Sequence, residues 1–87
     1  MELKQLRTFI MVAESGSLSR ASDRLRLAQP ALSRQIKLLE DEIGFELFVR
    51  SGRGMQLTEH GEALLGRVTG LVQQLDNSVE DVRSLAT

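Results

Sequence analysis

Cysteine is absent from this 87-residue sequence, and histidine and proline occur once each, as His60 and Pro30. Without cysteine there is no disulfide framework and no thiolate metal site. A single histidine excludes a histidine-rich metal cluster. No apolar run reaches the roughly 20 residues of a membrane span, and no charged-then-apolar signal peptide is evident. The expected compartment is the cytoplasm, with no membrane partner. The length suits one small domain with a marginal core.

The formal net charge is -1, which at first sight argues against a polyanionic partner. The distribution reverses that reading. Residues 17–37 hold Arg20, Arg24, Arg26, Arg34 and Lys37 against Asp23 alone, a local surplus of four positive charges. Residues 38–47 hold Glu40, Asp41, Glu42 and Glu46 without a base, and Arg50 and Arg53 follow. From residue 59 onward, five acids outnumber two bases. Salt screens fields beyond about 8 Å, so the local balance is what a phosphate backbone feels.

Apolar residues at Leu3, Leu6, Ile10 and Ala13, with Phe9 beside them, recur at helical steps. Gly16 supplies a left-handed stop and Ser17 an N-cap for a second helix. That helix turns Leu18, Ala21 and Leu25 inward and Ser19, Arg20, Asp23 and Arg24 outward. Leu27-Ala28-Gln29 forms a turn, and Pro30 fits the start of a third helix, where its missing N–H costs nothing. Leu32, Ile36, Leu39 and Ile43 make an inward stripe, and Gly44 ends the helix. The opposite face presents Gln29, Ser33 and Lys37, with Pro30 and Arg34 as the neighbouring row.

The period then changes. Phe45 to Arg50 and Met55 to Leu57 read as two strands, joined by the turn Ser51-Gly52-Arg53-Gly54. Thr58 caps a long fourth helix whose first turn carries Glu59 and Glu62. Leu65, Val68, Val72, Leu75, Val79 and Val82 repeat at alternating steps of three and four, a heptad seam for pairing with a second copy. Leu64, Leu71 and Leu85 widen it. Gly61, Gly66 and Gly70 each weaken the helix by roughly 1 kcal/mol relative to alanine. The expected fold is mainly α: three helices and a two-stranded wing over residues 1–58, a winged helix-turn-helix, then a linker and dimerisation helix over 59–87.

A helix fits the major groove of duplex DNA. Gln29 can pair with adenine, Arg34 with guanine and Ser33 with a base or phosphate, and Pro30 and Ala31 offer an apolar surface to a thymine methyl. Arg24 and Lys37 suit phosphates, and Arg50 and Arg53 suit the backbone or minor groove. Bland alternatives stand beside these. A polar helix face is often only solvated, Arg20 and Arg24 can bracket Asp23 in surface ion pairs, and Arg53 can simply keep a strand edge soluble. The seam can fold back on its own head or serve as a protein-interaction surface without DNA. No nucleophile–base–acid set converges and His60 has no evident partner, so catalysis is not expected.

These residues carry a resemblance. Leu6-Arg7-Thr8-Phe9, Val12 to Ser17, Ala21 with Leu25, Gln29 to Ser33, Gln35-Ile36, Leu39-Glu40, Ile43-Gly44, Leu47-Phe48, Arg50, Arg53, Leu57-Thr58 and Gly61 stand in an order that resembles the N-terminal domain of LysR-type transcriptional regulators. The resemblance implies a DNA-binding head, antiparallel pairing of linker helices, and imperfect palindromic targets. It implies base contacts at Gln29, Pro30, Ala31, Ser33 and Arg34, and backbone or minor-groove contacts at Lys37, Arg50 and Arg53. Ser19 and Arg24 join the backbone set. Family members usually add a C-terminal co-inducer domain that forms tetramers. The chain stops short of one and is expected to be a DNA-binding fragment without a cofactor. Promoter DNA and a second copy are the expected partners, with RNA polymerase a candidate third. Ala28 stands where the family usually has serine, Ser22 where it has alanine, and His60 where it has a small residue.

Overall fold

The computed structural model describes residues 1–86. Three helices, α1 (Leu3–Ser15), α2 (Leu18–Leu25) and α3 (Gln29–Ile43), precede strands β1 (Phe48–Ser51) and β2 (Gly54–Leu57) and a long helix α4 (Glu59–Ser84). The strands pair antiparallel, with Phe48 opposite Leu57 and Ser51 opposite Gly54. This is the winged helix-turn-helix plus linker helix that the periodicities predict. Gly16 ends α1 at φ 68°, and the Ser17 hydroxyl accepts the Arg20 N–H at 3.2 Å to start α2.

Phe9, Val12, Ala21, Leu32, Leu39 and Leu47 are fully buried, and Ile36, Phe48, Met55 and Val68 complete the core. Phe9 and Phe48 meet with ring centroids 5.4 Å apart at 56°, a tilted contact that joins the first helix to the wing. The buried centre of α1 is therefore Phe9 and Val12, while Leu3 remains 40% exposed.

The first strand is shorter than the sequence predicts. It begins at Phe48, and Phe45 is exposed. The cause is competition for backbone groups. The Glu40 carboxylate of α3 accepts the Leu47 and Phe48 N–H groups at 2.7 and 3.3 Å, and the Leu47 carbonyl accepts the Thr58 N–H at 3.0 Å. Residues 45–47 thus serve α3 and α4 instead of a ladder. β2 begins one residue earlier than expected, at Gly54, whose φ of 98° suits glycine.

The seam on α4 divides. Leu65 is half-buried, and Val68 and Val72 are buried against the chain's own head. Val68 and Val72 are therefore not free to face a partner, which corrects the expectation of one continuous pairing surface. The remaining three, Leu75, Val79 and Val82, are 45%, 45% and 68% exposed, with Leu71 and Leu85 exposed near them. From residue 73 to 84 every residue is exposed. The cause is geometric: α4 runs on to Ser84, beyond Val72, the last residue it buries against the head. The predicted linker extends to Thr87, which lies outside the described residues. Among those residues no helix is long and apolar enough to cross a membrane.

Candidate nucleic-acid interface

The turn between α2 and α3 is built by local hydrogen bonds. Arg26 closes α2 in the left-handed region at φ 55°, and its N–H reaches the Ser22 carbonyl. The Ser22 hydroxyl donates to the Leu27 carbonyl, and the Leu27 N–H returns to the Ser22 carbonyl at 3.2 Å. Serine at position 22 thus closes the turn, a role its sequence context did not disclose.

Ala28 caps α3 without a side-chain hydrogen bond, and the Ala31 N–H turns to the Ala28 carbonyl at 3.0 Å. Ala28→Ser is expected to supply the missing acceptor and to stabilise the chain by about 1 kcal/mol, read as a raised urea midpoint. An unchanged midpoint would mean that the cap gains nothing over water.

Burial of Leu32, Ile36 and Leu39 on one face of α3 leaves Gln29, Pro30, Ala31, Arg34 and Lys37 exposed on the other. Ser33 is half-buried because the Arg50 guanidinium, arriving from β1, donates to its hydroxyl at 2.8 Å. Arg50 stands opposite Met55 in the ladder, so the strand register aims it at α3. Two depressions meet at Arg50. One, about 350 Å³, is lined by Ser33, Lys37, Glu46, Val49 and Arg50. The other, about 280 Å³, is lined by Ser19, Gln29, Arg50 and Ser51. Ser19, Gln29, Ser33, Lys37 and Arg50 therefore form one continuous surface, while Arg53 occupies the wing turn.

Arg24 stands apart, its guanidinium 3.5 Å from the Ser15 hydroxyl. The bracketing of Asp23 by Arg20 and Arg24 does not occur. The ion pairs found among the described residues join the N-terminal amine to Glu42, Arg7 to Asp76, Lys37 to Asp41 and Arg83 to Glu80. None involves Arg20, Arg24, Arg34, Arg50 or Arg53, which remain available to an anion. Lys37 lies 3.1 Å from Asp41. The hydrogen bond to that carboxylate, and then its charge, hold the ammonium above the ordinary lysine range. Lys37 remains charged, but shares that charge with its own helix.

Beside Ser22, the roles of Glu40, Arg7 and Asp76 escaped the sequence reading. Glu40 entered the acidic run and the family pattern with no structural role assigned, yet its carboxylate anchors the wing to α3. Arg7 and Asp76 lie 69 residues apart, and no local pattern links them.

An exposed polar helix, preceded by a hydrogen-bonded turn and flanked by an arginine-bearing hairpin, defines a winged helix-turn-helix DNA-binding domain. Residues 3–62 match the family model described as bacterial regulatory helix-turn-helix protein, lysR family, and the chain belongs to that family. An uncharacterized HTH-type transcriptional regulator of Azotobacter vinelandii is 44% identical over 85 residues, and BudR of Klebsiella aerogenes is 43% identical over 86. These alignments cover 98% and 99% of the chain but 59% and 60% of the relatives' lengths. The chain thus spans about three fifths of those relatives. The BenM DNA-binding domain in complex with catB site 1 DNA superposes with a TM-score of 0.93 at 38% identity, covering 100% of this chain and 98% of that one. CbnR, a LysR family transcriptional regulator, superposes with a TM-score of 0.90 at 38% identity, covering 97% of this chain and 29% of that one.

Proposed function

We propose that the chain binds duplex promoter DNA sequence-specifically as a homodimer, with residues 30–43 in the major groove and the wing, residues 45–57, along the backbone or minor groove. The observation that carries this reading is the continuous surface from Ser19 through Gln29 and Ser33 to Arg50, beside Arg20, Arg24, Arg34 and Arg53, none of which is in an ion pair among the described residues. Solved complexes of similar domains with DNA support it. Gln29, Pro30, Ala31, Ser33 and Arg34 read bases. Ser19, Arg24, Lys37, Arg50 and Arg53 hold the backbone or minor groove. Residues 1–58 form the reading head, with the first turns of α4 packed onto it, and the remainder of 59–87 pairs two copies. The domain works without a cofactor in the cytoplasm. In a longer protein it serves a tetramer, with RNA polymerase a further partner.

Arg34→Ala is expected to weaken binding to a selected site by about 1–3 kcal/mol and to relax the choice at one base pair. Lys37→Ala should weaken selected and random duplexes alike and lower the salt slope by about one. Titrations at several salt concentrations measure both. Equal losses on selected and random DNA for Arg34→Ala would remove it from base reading. A wild-type chain that ignores random duplex at low salt would favour a protein-interaction role instead.

A further inference from the structure

We propose that Arg7 and Asp76 are positioning residues that set the angle of α4 against the head, and through it the half-site spacing a dimer prefers. The inference rests on the dimeric DNA-binding reading above.

Val72 is the last buried residue of α4, and with Arg7, Ile10, Met11 and Leu25 it lines a crevice between that helix and the head. Asp76 lies one turn further out. Its carboxylate takes both prongs of the Arg7 guanidinium, Nη2 to Oδ1 at 2.6 Å and Nη1 to Oδ2 at 3.0 Å. A two-pronged contact constrains orientation as well as distance. The hydrogen bond, before charge, lowers the Asp76 pKa and raises that of Arg7.

The side chains are 41% and 47% exposed, so the pair adds little to global stability. Its effect is on direction. From residue 72 to 84 a helix rising 1.5 Å per residue extends roughly 18 Å. A swing of about 10° at its root moves the free end by about 3 Å, close to the 3.4 Å rise of one base pair. The partner's head, carried beyond that end, moves at least as far. The exposed pairing residues Leu75, Val79 and Val82 all lie on this free arm.

The test titrates the 87-residue chain onto a single selected half-site and onto two half-sites separated by stepwise one-base-pair increments. The wild-type chain should prefer one spacing. Arg7→Ala and Asp76→Ala should each keep single-half-site affinity within about twofold and cut the preference over the neighbouring spacing about threefold or more. The exchanged pair, Arg7→Asp with Asp76→Arg, should return the preference toward wild type. The two single variants change net charge in opposite directions, so a shared loss of preference reports geometry. Unchanged profiles in both, or opposite changes that follow charge, would overturn the inference. So would a wild-type chain that binds DNA with no spacing preference, which leaves the proposed function standing. A chain that binds no duplex overturns both.

Discussion

Gly61→Ala is expected to destabilise the chain by about 3 kcal/mol or more. An added Cβ would lie 2.1 Å from the Leu47 carbonyl oxygen and 2.9 Å from Leu57 Cδ2. The first of these is backbone, and it is held in place. The Leu47 carbonyl accepts the Thr58 N–H at 3.0 Å, and the Thr58 hydroxyl donates to the Glu46 carbonyl at 2.7 Å. The same hydroxyl accepts the Gly61 N–H at 3.0 Å. Neither side can retreat without breaking the start of α4. For a domain of this size the loss corresponds to a fall in melting temperature of about 12 °C or more. Gly66→Ala is the control. Its Cβ would meet nothing within 4 Å, and it should raise stability by up to about 1 kcal/mol. Equal melting temperatures for the two variants would contradict the close approach of α4 to residues 46–47.

The combined change Leu75→Asp and Val79→Asp should leave the head folded and abolish pairing. Both side chains are 45% exposed and lie beyond the last buried residue of α4, so the single chain loses little. In a pair the same positions would bury four new charges without partners, which is strongly unfavourable. Two linked heads on two half-sites gain about 10²- to 10⁴-fold from effective concentration. Affinity for a two-half-site duplex should fall by about that factor, while binding to one half-site changes little. Sedimentation over a concentration series, run beside the titrations, checks both halves of the prediction. A variant that still sediments as a dimer would move the pairing surface away from the free arm of α4.

Much of this was legible in the sequence because its signals are local. The three-and-four spacing of Leu32, Ile36 and Leu39 marked the buried side of α3, and hence Gln29, Arg34 and Lys37 as its open side. Gly16 and Gly44 do end their helices in the left-handed region. What escaped depends on meetings between distant segments. The heptad pattern from Leu65 to Val82 is uniform in sequence, yet only its first half lies over the head, because the head ends and the helix does not. Glu40 looks like any acid in an acidic run until the Leu47 and Phe48 N–H groups are brought to it. Phe45 has strand propensity, but the backbone beside it is engaged elsewhere. His60 has no evident partner in sequence, yet its exposed ring stacks on Phe45 with centroids 3.9 Å apart.

The Arg50–Ser33 contact has a chemical consequence for recognition. A serine hydroxyl carries one proton and two lone pairs. The guanidinium occupies one lone pair at 2.8 Å, and its positive charge favours turning the hydroxyl proton away from the wing. Ser33 is thereby polarised as a donor toward whatever lies in front of α3. It should favour base edges that offer an acceptor, the purine N7, guanine O6 or thymine O4. The wing thus biases the hydrogen-bonding sense of a residue on the neighbouring helix.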